Sequence, residues 1–526
     1  MLFCTSQAQR PAPNRREVIV GATSLVGLAG AALLGPSSAL ASQPKTGGTL
    51  RVGLGHGSIS DSLDPATWNN YFMQAAGFAR CNCLTEIAPD GTLVPELAES
   101  WESPDGGKTW VFKLRSGVEF HNGKTFDASD VIATINHHRK EESKSAAKPS
   151  VTQIEELKLI NPSTIAFMLK STNADFPFVL ADFHLVILPS VDGSLDWQSG
   201  VGTGGYELVD TNPGVSASFI RNAKYWKPNS AYFDALKLLT IADSAARTNA
   251  LMTGEIDVMD KVDLKTANLL ERRNGIRIIE TLGTQHFSFA MSTNKEPFTD
   301  NNVRLALKYA IDRQALVDTI LYGHGVVGND HPINRSYRFF NADLEQHAYD
   351  PERAKYHLKK SGLSSLTVSL SAADAAFSGA VDAAVLYQEK AAKAGITIDV
   401  VKEPDDGYWA NVWMKKSFSA VFWGGRPTED WVFSTTYAAG APWNDTFWEN
   451  SRFNELLVGA RSELNDEKRR QMYGEMQELL RNDGGALIPM FANYVSAAVD
   501  RVKLPEQTAS NWDLDGFRFS ERWWFE

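Results

Sequence analysis

Several groups of residues have types and spacings that could carry chemistry. His137, His138, Glu141 and Glu142 fall together on a predicted helix, and His137 and Glu141 are four apart, so both could face one metal ion. Their Lys-, Glu- and Ser-rich surroundings fit a solvated helix face better. Cys81 and Cys83 are too close in sequence for a relaxed disulfide. They are expected as buried thiols, and the alternative is a cysteine pair on a metal, for which no third ligand lies nearby. Gly200 to Gly205 spells GxGxxG, but the strand-like Tyr206-Glu207-Leu208-Val209 follows where a dinucleotide loop must open a helix. His121 stands beside the Asn122-Gly123 turn and is expected to be structural. The acidic pairs Asp405-Asp406 and Glu429-Asp430 give no reason to straddle a sugar linkage. The sequence has no HExxH, no GxSxG elbow and no P-loop. The expectation is therefore a protein without a cofactor that catalyses nothing, with a secreted hydrolase of glycans or peptides as the alternative.

Another stretch is better suited to binding. Ala420-Val421-Phe422-Trp423 is a predicted strand, and Gly424-Gly425-Arg426 continues as a loop towards Asp430 and Trp431. The two glycines allow close backbone approach, and Trp409, Trp423 and Trp431 offer flat faces, with core packing the alternative for each. A guanidinium at Arg426 suits a carboxylate or phosphate through a bidentate fork. It could equally pair inside the protein with Glu429 or Asp430. The loop 67–72 holds Trp68, Asn69, Asn70, Tyr71 and Phe72.

Elements that could position these groups are legible along the whole chain. From Pro95 to Arg139, Leu97, Ala98 and Trp101 form an apolar patch, and Ser103-Pro104-Asp105-Gly106-Gly107 is a turn. Trp110 to Arg115 alternates as a half-buried strand, His121-Asn122-Gly123-Lys124 turns again, and Asp127 or Ser129 caps a helix bearing Val131, Ile132 and Ile135. Helices are expected over Ala245–Met252, Asn302–Arg313, Phe453–Arg461 and Asp466–Asn482, and one starting at Asp350-Pro351. Leu366–Leu370 and Ile396–Val401 flank the helix Ala380–Ala394 as a βαβ unit.

As an ordered string, Pro95–Arg139 resembles the signature of family 5 extracellular solute-binding proteins, the receptors of peptide, nickel and opine ABC importers. Ser62-Leu63-Asp64-Pro65, Gly202-Thr203-Gly204 with Arg221 to Trp226, Gly254-Glu255-Ile256-Asp257, and Val303 to Arg313 match further motifs of that family. The likeness spans about residues 48 to 500. It implies an α/β, two-lobed periplasmic-binding-protein clamp, type II-like, with an extra subdomain in the first lobe. The implied division is 42–75, 204–281 and 498–526 for the first lobe, 76–203 for the subdomain, and 282–497 for the second lobe. Crossings are expected near Glu280–Gly283 and Tyr494–Ala498. The resemblance also implies ligand contacts at Arg426, Trp423, Gly424, Gly425, Asp430, Trp409, Tyr71, Asn70 and His286. Peptide receptors of the family carry an Asp for the ligand ammonium where Arg426 stands here. That departure points to a ligand with an acidic end, such as an opine-like conjugate or an unusual peptide, unless Asp430 takes the ammonium. The implied partners are such a small solute and a membrane permease driven by a separate ATPase, with the receptor a monomer that shifts from open to closed on binding.

Composition agrees with an exported globular chain. Of 526 residues 43% are hydrophobic and 22% charged, enough for two or three lobes. The net charge of −11 argues against nucleic acid and anionic membranes as partners. Asn14-Arg15-Arg16-Glu17-Val18-Ile19 resembles a twin-arginine motif, Val18–Leu34 is apolar, and Ala39-Leu40-Ala41 is a small-x-small cleavage site. A signal peptide over 1–41 and a periplasmic location are expected. Cys4 lies in that leader, with no lipobox cysteine at the cleavage point.

Overall fold

The computed structural model describes residues 44–526. The expected leader, its twin-arginine motif, its cleavage site and Cys4 lie outside the described residues. Two large sheets organise the rest. A seven-stranded sheet runs in the order Tyr206–Asn212, Ser216–Arg221, Ala235–Thr240, Thr49–Leu54, Val258–Met259, Tyr494–Val499, Ile276–Thr281. A six-stranded sheet runs Gly325–Val327, Ala486–Ala492, His286–Met291, Phe418–Trp423, Leu366–Ala372, Ile396–Lys402. Each is the centre of one lobe of an α/β molecule. The first is mixed, with Thr49–Leu54 parallel to both of its neighbours. In the second, Leu366–Ala372 and Ile396–Lys402 pair in parallel around the helix Ala380–Ala392, the βαβ unit expected from sequence.

A four-stranded antiparallel sheet, Ala98–Glu102, Thr109–Leu114, Thr164–Leu169 and Ile154–Asn161, carries its own core of Phe112, Phe167, Val131 and Ile135. Its helix Ala128–Arg139 starts where the sequence places it. The Asp127 carboxylate accepts from Ser129 N while Asp130 reaches back to Asp127 N. One expected helix is corrected. Asn302–Arg313 is not continuous: a helix Asn301–Tyr309 ends, and Asp312 caps a second helix Arg313–Ile320 by accepting from Ala315 N. An Asp that serves as a cap cannot also continue the turn before it.

The chain passes between the large sheets twice, over 282–285 and at Asn493. The second passage precedes the expected Tyr494–Ala498, because Tyr494 already pairs with Thr281 in the seven-stranded sheet. The two passages touch closely: a Cβ on Gly283 would overlap the carbonyl oxygen of Ala492. The C-terminal segment packs on the first lobe, with Trp523 fully buried and Phe525 edge-on to Phe233 at 4.8 Å. Beside it, the buried carboxylates of Glu86, Glu96 and Glu521 meet Arg518, Arg522 and Lys227.

The other chemical candidates are structural. His137 is half-buried and bonds Asp64 at 2.8 Å, and His138 is buried and bonds the Ser145 hydroxyl at 2.7 Å. The two histidines are thus packed rather than solvated, while the helix ends at Arg139 and leaves Glu141 and Glu142 exposed beyond it. His121 bonds the Gly204 carbonyl at 3.0 Å, Cys81 and Cys83 are free and buried, and Gly200–Gly205 leads into a strand.

Candidate functional site

Parallel strands present their carboxyl ends on one side, where the loops that follow are free to meet a ligand. The first lobe does this with Thr49–Leu54, followed by His56, and with Val258–Met259, followed by Lys261. The second does it with Leu366–Ala372 and Phe418–Trp423, parallel at Ser371 and Ser419 and followed by Asp374 and Gly424. These four loop starts line one open cleft of about 1680 Å³.

On the first-lobe wall, Tyr71 opens the helix Tyr71–Arg80 and its ring lies edge-on to His56 at 5.6 Å and to Phe517 at 4.8 Å. The Lys261 ammonium sits 4.0 Å above the Tyr71 ring centroid and 3.3 Å from His56 Nδ1. It has no carboxylate within 4.0 Å among the described residues, because neighbouring Asp260 is taken by Arg247 at 3.1 Å. Lys261 is an exposed residue; partial desolvation lowers its pKa, and the Asp260 and Asp513 carboxylates act against that. Asp513, Trp512 and Tyr494 complete this wall.

The second-lobe wall is mostly aromatic, with the exposed Asp374 carboxylate accepting from Gly379 N at 3.1 Å. Phe287 and Phe377 stack at 4.2 Å and 10° between planes, and Phe422 stands beside them, 38% exposed. Strand alternation turns Phe422 to the cleft and Trp423 away from it. Trp423 instead donates its indole N–H to Asp445 at 3.2 Å, as Trp413 does at 3.3 Å. Burial pushes the Asp445 carboxyl up to about 6. Trp409 stands at the cleft margin, 40% exposed and edge-on to Phe422 at 5.7 Å. Gly424 and Gly425 line the cleft; a Cβ on Gly425 would overlap the Thr284 hydroxyl, whereas one on Gly424 would meet only Arg426 Nη1 at 3.6 Å.

Arg426 lines a small adjoining recess with Thr284 and Tyr337. Its Nη1 donates to the Gly424 and Gly425 carbonyls at 3.2 and 3.0 Å. Neither acid weighed as an internal partner is within ion-pair reach: Asp430 pairs with Arg461 at 3.1 Å, and Glu429 accepts from Phe339 N at 2.6 Å. Burial lowers the guanidinium's pKa, and Tyr337 and the Asp182 carboxylate offset only part of that.

The cleft therefore gathers Tyr71, Gly424 and Gly425, with Trp409 and Arg426 at its edges. It does not gather Asn70, whose side chain caps the helix by accepting from Met73 N and donating to Asp61. Asp430 faces a separate hollow of about 830 Å³. His286 is 2% exposed behind the sheet against Phe491, and burial lowers it to about 3, so it is neutral. Lys261, His56 and Asp513 were not foreseen. For the first two, the carboxyl-end rule applied to Thr49–Leu54 and to the short strand at Val258 was the available signal.

Comparison with known proteins matches this architecture. A family model described as bacterial extracellular solute-binding proteins, family 5 Middle, matches residues 92–445. The chain is 26% identical over 444 residues to the glutathione-binding protein GsiB of Escherichia coli strain K12, covering 81% of this chain and 85% of that one. It has the fold of DppA from Helicobacter pylori in complex with peptide STSA, at TM-score 0.70 and 23% identity, covering 91% and 98% of the two chains. It also has the fold of AgaA from A. tumefacien R10 in complex with agropinic acid, at TM-score 0.71 and 23% identity, covering 91% and 99%. Among the described residues no helix is long and apolar enough to cross a membrane. The family match spans well over half of the chain, from the subdomain through the cleft loops: this protein belongs to the family 5 extracellular solute-binding proteins.

Proposed function

We propose that this receptor of an ABC importer captures a solute with an anionic end, such as a glutathione-like peptide or an opine-like conjugate. One observation carries the proposal: two cations, Lys261 and Arg426, flank the cleft on opposite lobes with no carboxylate within 4.0 Å. The half-buried Arg426 is costly without a counter-ion, and the exposed Lys261 is free to meet a solute; a solute carboxylate would supply the missing charge. The naming of a relative for glutathione and the agropinic acid bound to AgaA agree with that chemistry. Solute held by both walls makes its full set of contacts only when the lobes close, so it shifts the open–closed equilibrium by its differential affinity.

In this proposal the leader is cleaved after about Ala41 and the periplasmic receptor works as a monomer. It hydrolyses nothing, and it hands solute to a permease powered by a separate ATPase. The lobes are 42–75, 204–281 and the C-terminal stretch against 282–493, with 76–203 as the subdomain; the strand memberships support this division.

The test is a thermal-shift series on the purified protein with glutathione, agropinic acid and a dipeptide amide that lacks any carboxylate. A solute at 100 times its Kd adds about 2.7 kcal/mol of stability. The acidic compounds should raise the melting temperature and the amide should not, with the shift shrinking in Lys261→Ala and Arg426→Ala. An equal shift with the dipeptide amide would sink the proposal.

A further inference from the structure

The first-lobe wall contains a carboxylate that the fold leaves without a counter-ion. Buried acids of this lobe are otherwise paired: Asp257 with Arg51 and Arg501, Asp260 with Arg247, Asp515 with Arg522. Asp513 is 2% exposed, lines the cleft, and has no cation within 4.0 Å among the described residues. Its Oδ1 accepts from Leu514 N at 2.8 Å, and the Lys261 backbone N–H and, beyond ion-pair distance, the Lys261 ammonium also favour the carboxylate. Two other buried acids lack a cation, Glu429 and Asp445, but neither lines the large cleft.

The backbone that presents Asp513 is unusual. Leu514 (φ 49°, ψ 50°), Asp515 (φ 60°, ψ 45°), Gly516 (φ 67°) and Phe517 (φ 59°, ψ 15°) form a left-handed turn, unfavourable for L residues. Surrounding contacts hold it. The Asp515 carboxylate accepts from Ala509 N and Arg522 Nη1, both at 2.7 Å, and from Trp523 Nε1 at 3.2 Å, while Phe517 packs on Tyr71. The turn thus sets a buried carboxylate into the same wall as the exposed Lys261 ammonium, near enough to attract it but outside ion-pair distance.

We propose that Asp513 is the counter-ion for an ammonium group of the solute. With Lys261 it makes the first-lobe wall a site for a zwitterionic, amino-acid-like head that bears an ammonium and a carboxylate side by side. This rests on the reading that the cleft holds the solute, and it deepens that reading by adding a positive charge to the anionic end. Without solute, burial and the nearby Asp260 push the Asp513 carboxyl up to about 7. The charged and titratable groups facing it are Asp260 and Lys261 after their strand, Tyr71 on its helix and Tyr494 on its strand. An arriving ammonium replaces the proton.

The experiment is calorimetric titration of the purified protein at pH 8 with glutathione and with N-acetylglutathione, which keeps both carboxylates and loses the ammonium. The wild type should bind glutathione at least tenfold tighter. Asp513→Asn should remove that preference by weakening glutathione alone, and Lys261→Ala should weaken both compounds. Because the amide removes a buried charge that has no ion pair, Asp513→Asn should melt at or above the wild-type temperature, which separates lost recognition from misfolding. The preference should also shrink in the wild type from pH 8 to pH 5.5. Equal binding of the two compounds, or a preference that survives in Asp513→Asn, overturns this inference and leaves the anionic-end reading standing. Binding of neither compound, nor of Ala-Glu and its acetylated form, overturns both.

Discussion

The two walls of the cleft are built by the same device and do opposite work. Each is made of loops leaving the carboxyl ends of parallel strands. The first lobe ends its strands in charge: Lys261, with Asp513 brought beside it by the C-terminal turn. The second ends its strands in Phe422, Gly424 and Gly425 and in one exposed acid, Asp374, with Phe377 and Trp409 nearby and its cation, Arg426, set back in an adjoining recess. A charged wall selects, because a wrong or missing charge leaves a buried ion unpaired. An aromatic and glycine wall grips whatever shape the first has selected. Dividing the tasks this way makes binding depend on closure, since neither wall alone completes the site.

The charged wall needs a rigid backing, and the largest effect should come from removing it. Arg518 binds Glu96 bidentately, at 3.0 Å on one arm, in a fully buried cluster with Glu86 and Glu521. Arg518→Ala would leave those carboxylates short of a cation, and we expect a loss of about 3–5 kcal/mol by denaturant midpoint. A loss below about 1 kcal/mol would mean that Lys227 and Arg522 suffice and that the backing is redundant.

The next effect is a pH dependence on the same wall. Asp513 is raised in the folded state, to about 7, above an unfolded value near 3.9. Folding therefore favours its protonated form. The group costs nothing below about pH 4, and stability drains as pH climbs from about 4 to about 7, by about 2–4 kcal/mol if nothing relaxes. Asp513→Asn should flatten that limb of the unligated protein's stability curve. An unchanged slope in the variant would assign the loss to another group.

On the gripping wall, two adjacent glycines should behave differently. A Cβ at Gly425 meets Thr284 in the crossing segment, so Gly425→Ala should cost about 1–3 kcal/mol and weaken every solute. Gly424→Ala has room and should change stability by less than about 0.5 kcal/mol. Equal effects would show that backbone freedom, rather than the close approach to Thr284, is what the loop requires.

Much of this was legible in sequence because it is local. Asp127 and Asp350-Pro351 announce their helices, Gly106 and Gly123 take the positive φ that their turns demand, and Ala420 to Trp423 reads as a strand that stops at two glycines, the end of the strand Phe418–Trp423. The break at Ala310 was not legible, because Ala-Ile-Asp suits a helix interior until the Asp is seen capping the next helix. The site was legible on the gripping wall and, on the charged wall, at Tyr71. Asn70 was assigned with Tyr71, but its amide is spent on the helix it caps, and strand alternation sends Trp423 to Asp445. Lys261 and Asp513 escaped because what marks them is a missing partner, and a missing partner is visible only once distant segments are brought together.

The smallest effect tests whether the gripping wall is blind to charge. Trp409 is 40% exposed and held edge-on to Phe422 and Trp413 at 5.7 and 5.9 Å, so its removal should barely disturb the fold. An aromatic contact of this kind is worth about 0.5–1.5 kcal/mol, or roughly a twofold to tenfold change in affinity. Trp409→Ala should therefore weaken glutathione and N-acetylglutathione by the same factor, whereas Asp513→Asn weakens only the first. If Trp409→Ala discriminates between them, the indole is reading the ammonium through its π face. Selection would then be shared by both walls, and the division of labour drawn from their residues would have to be given up.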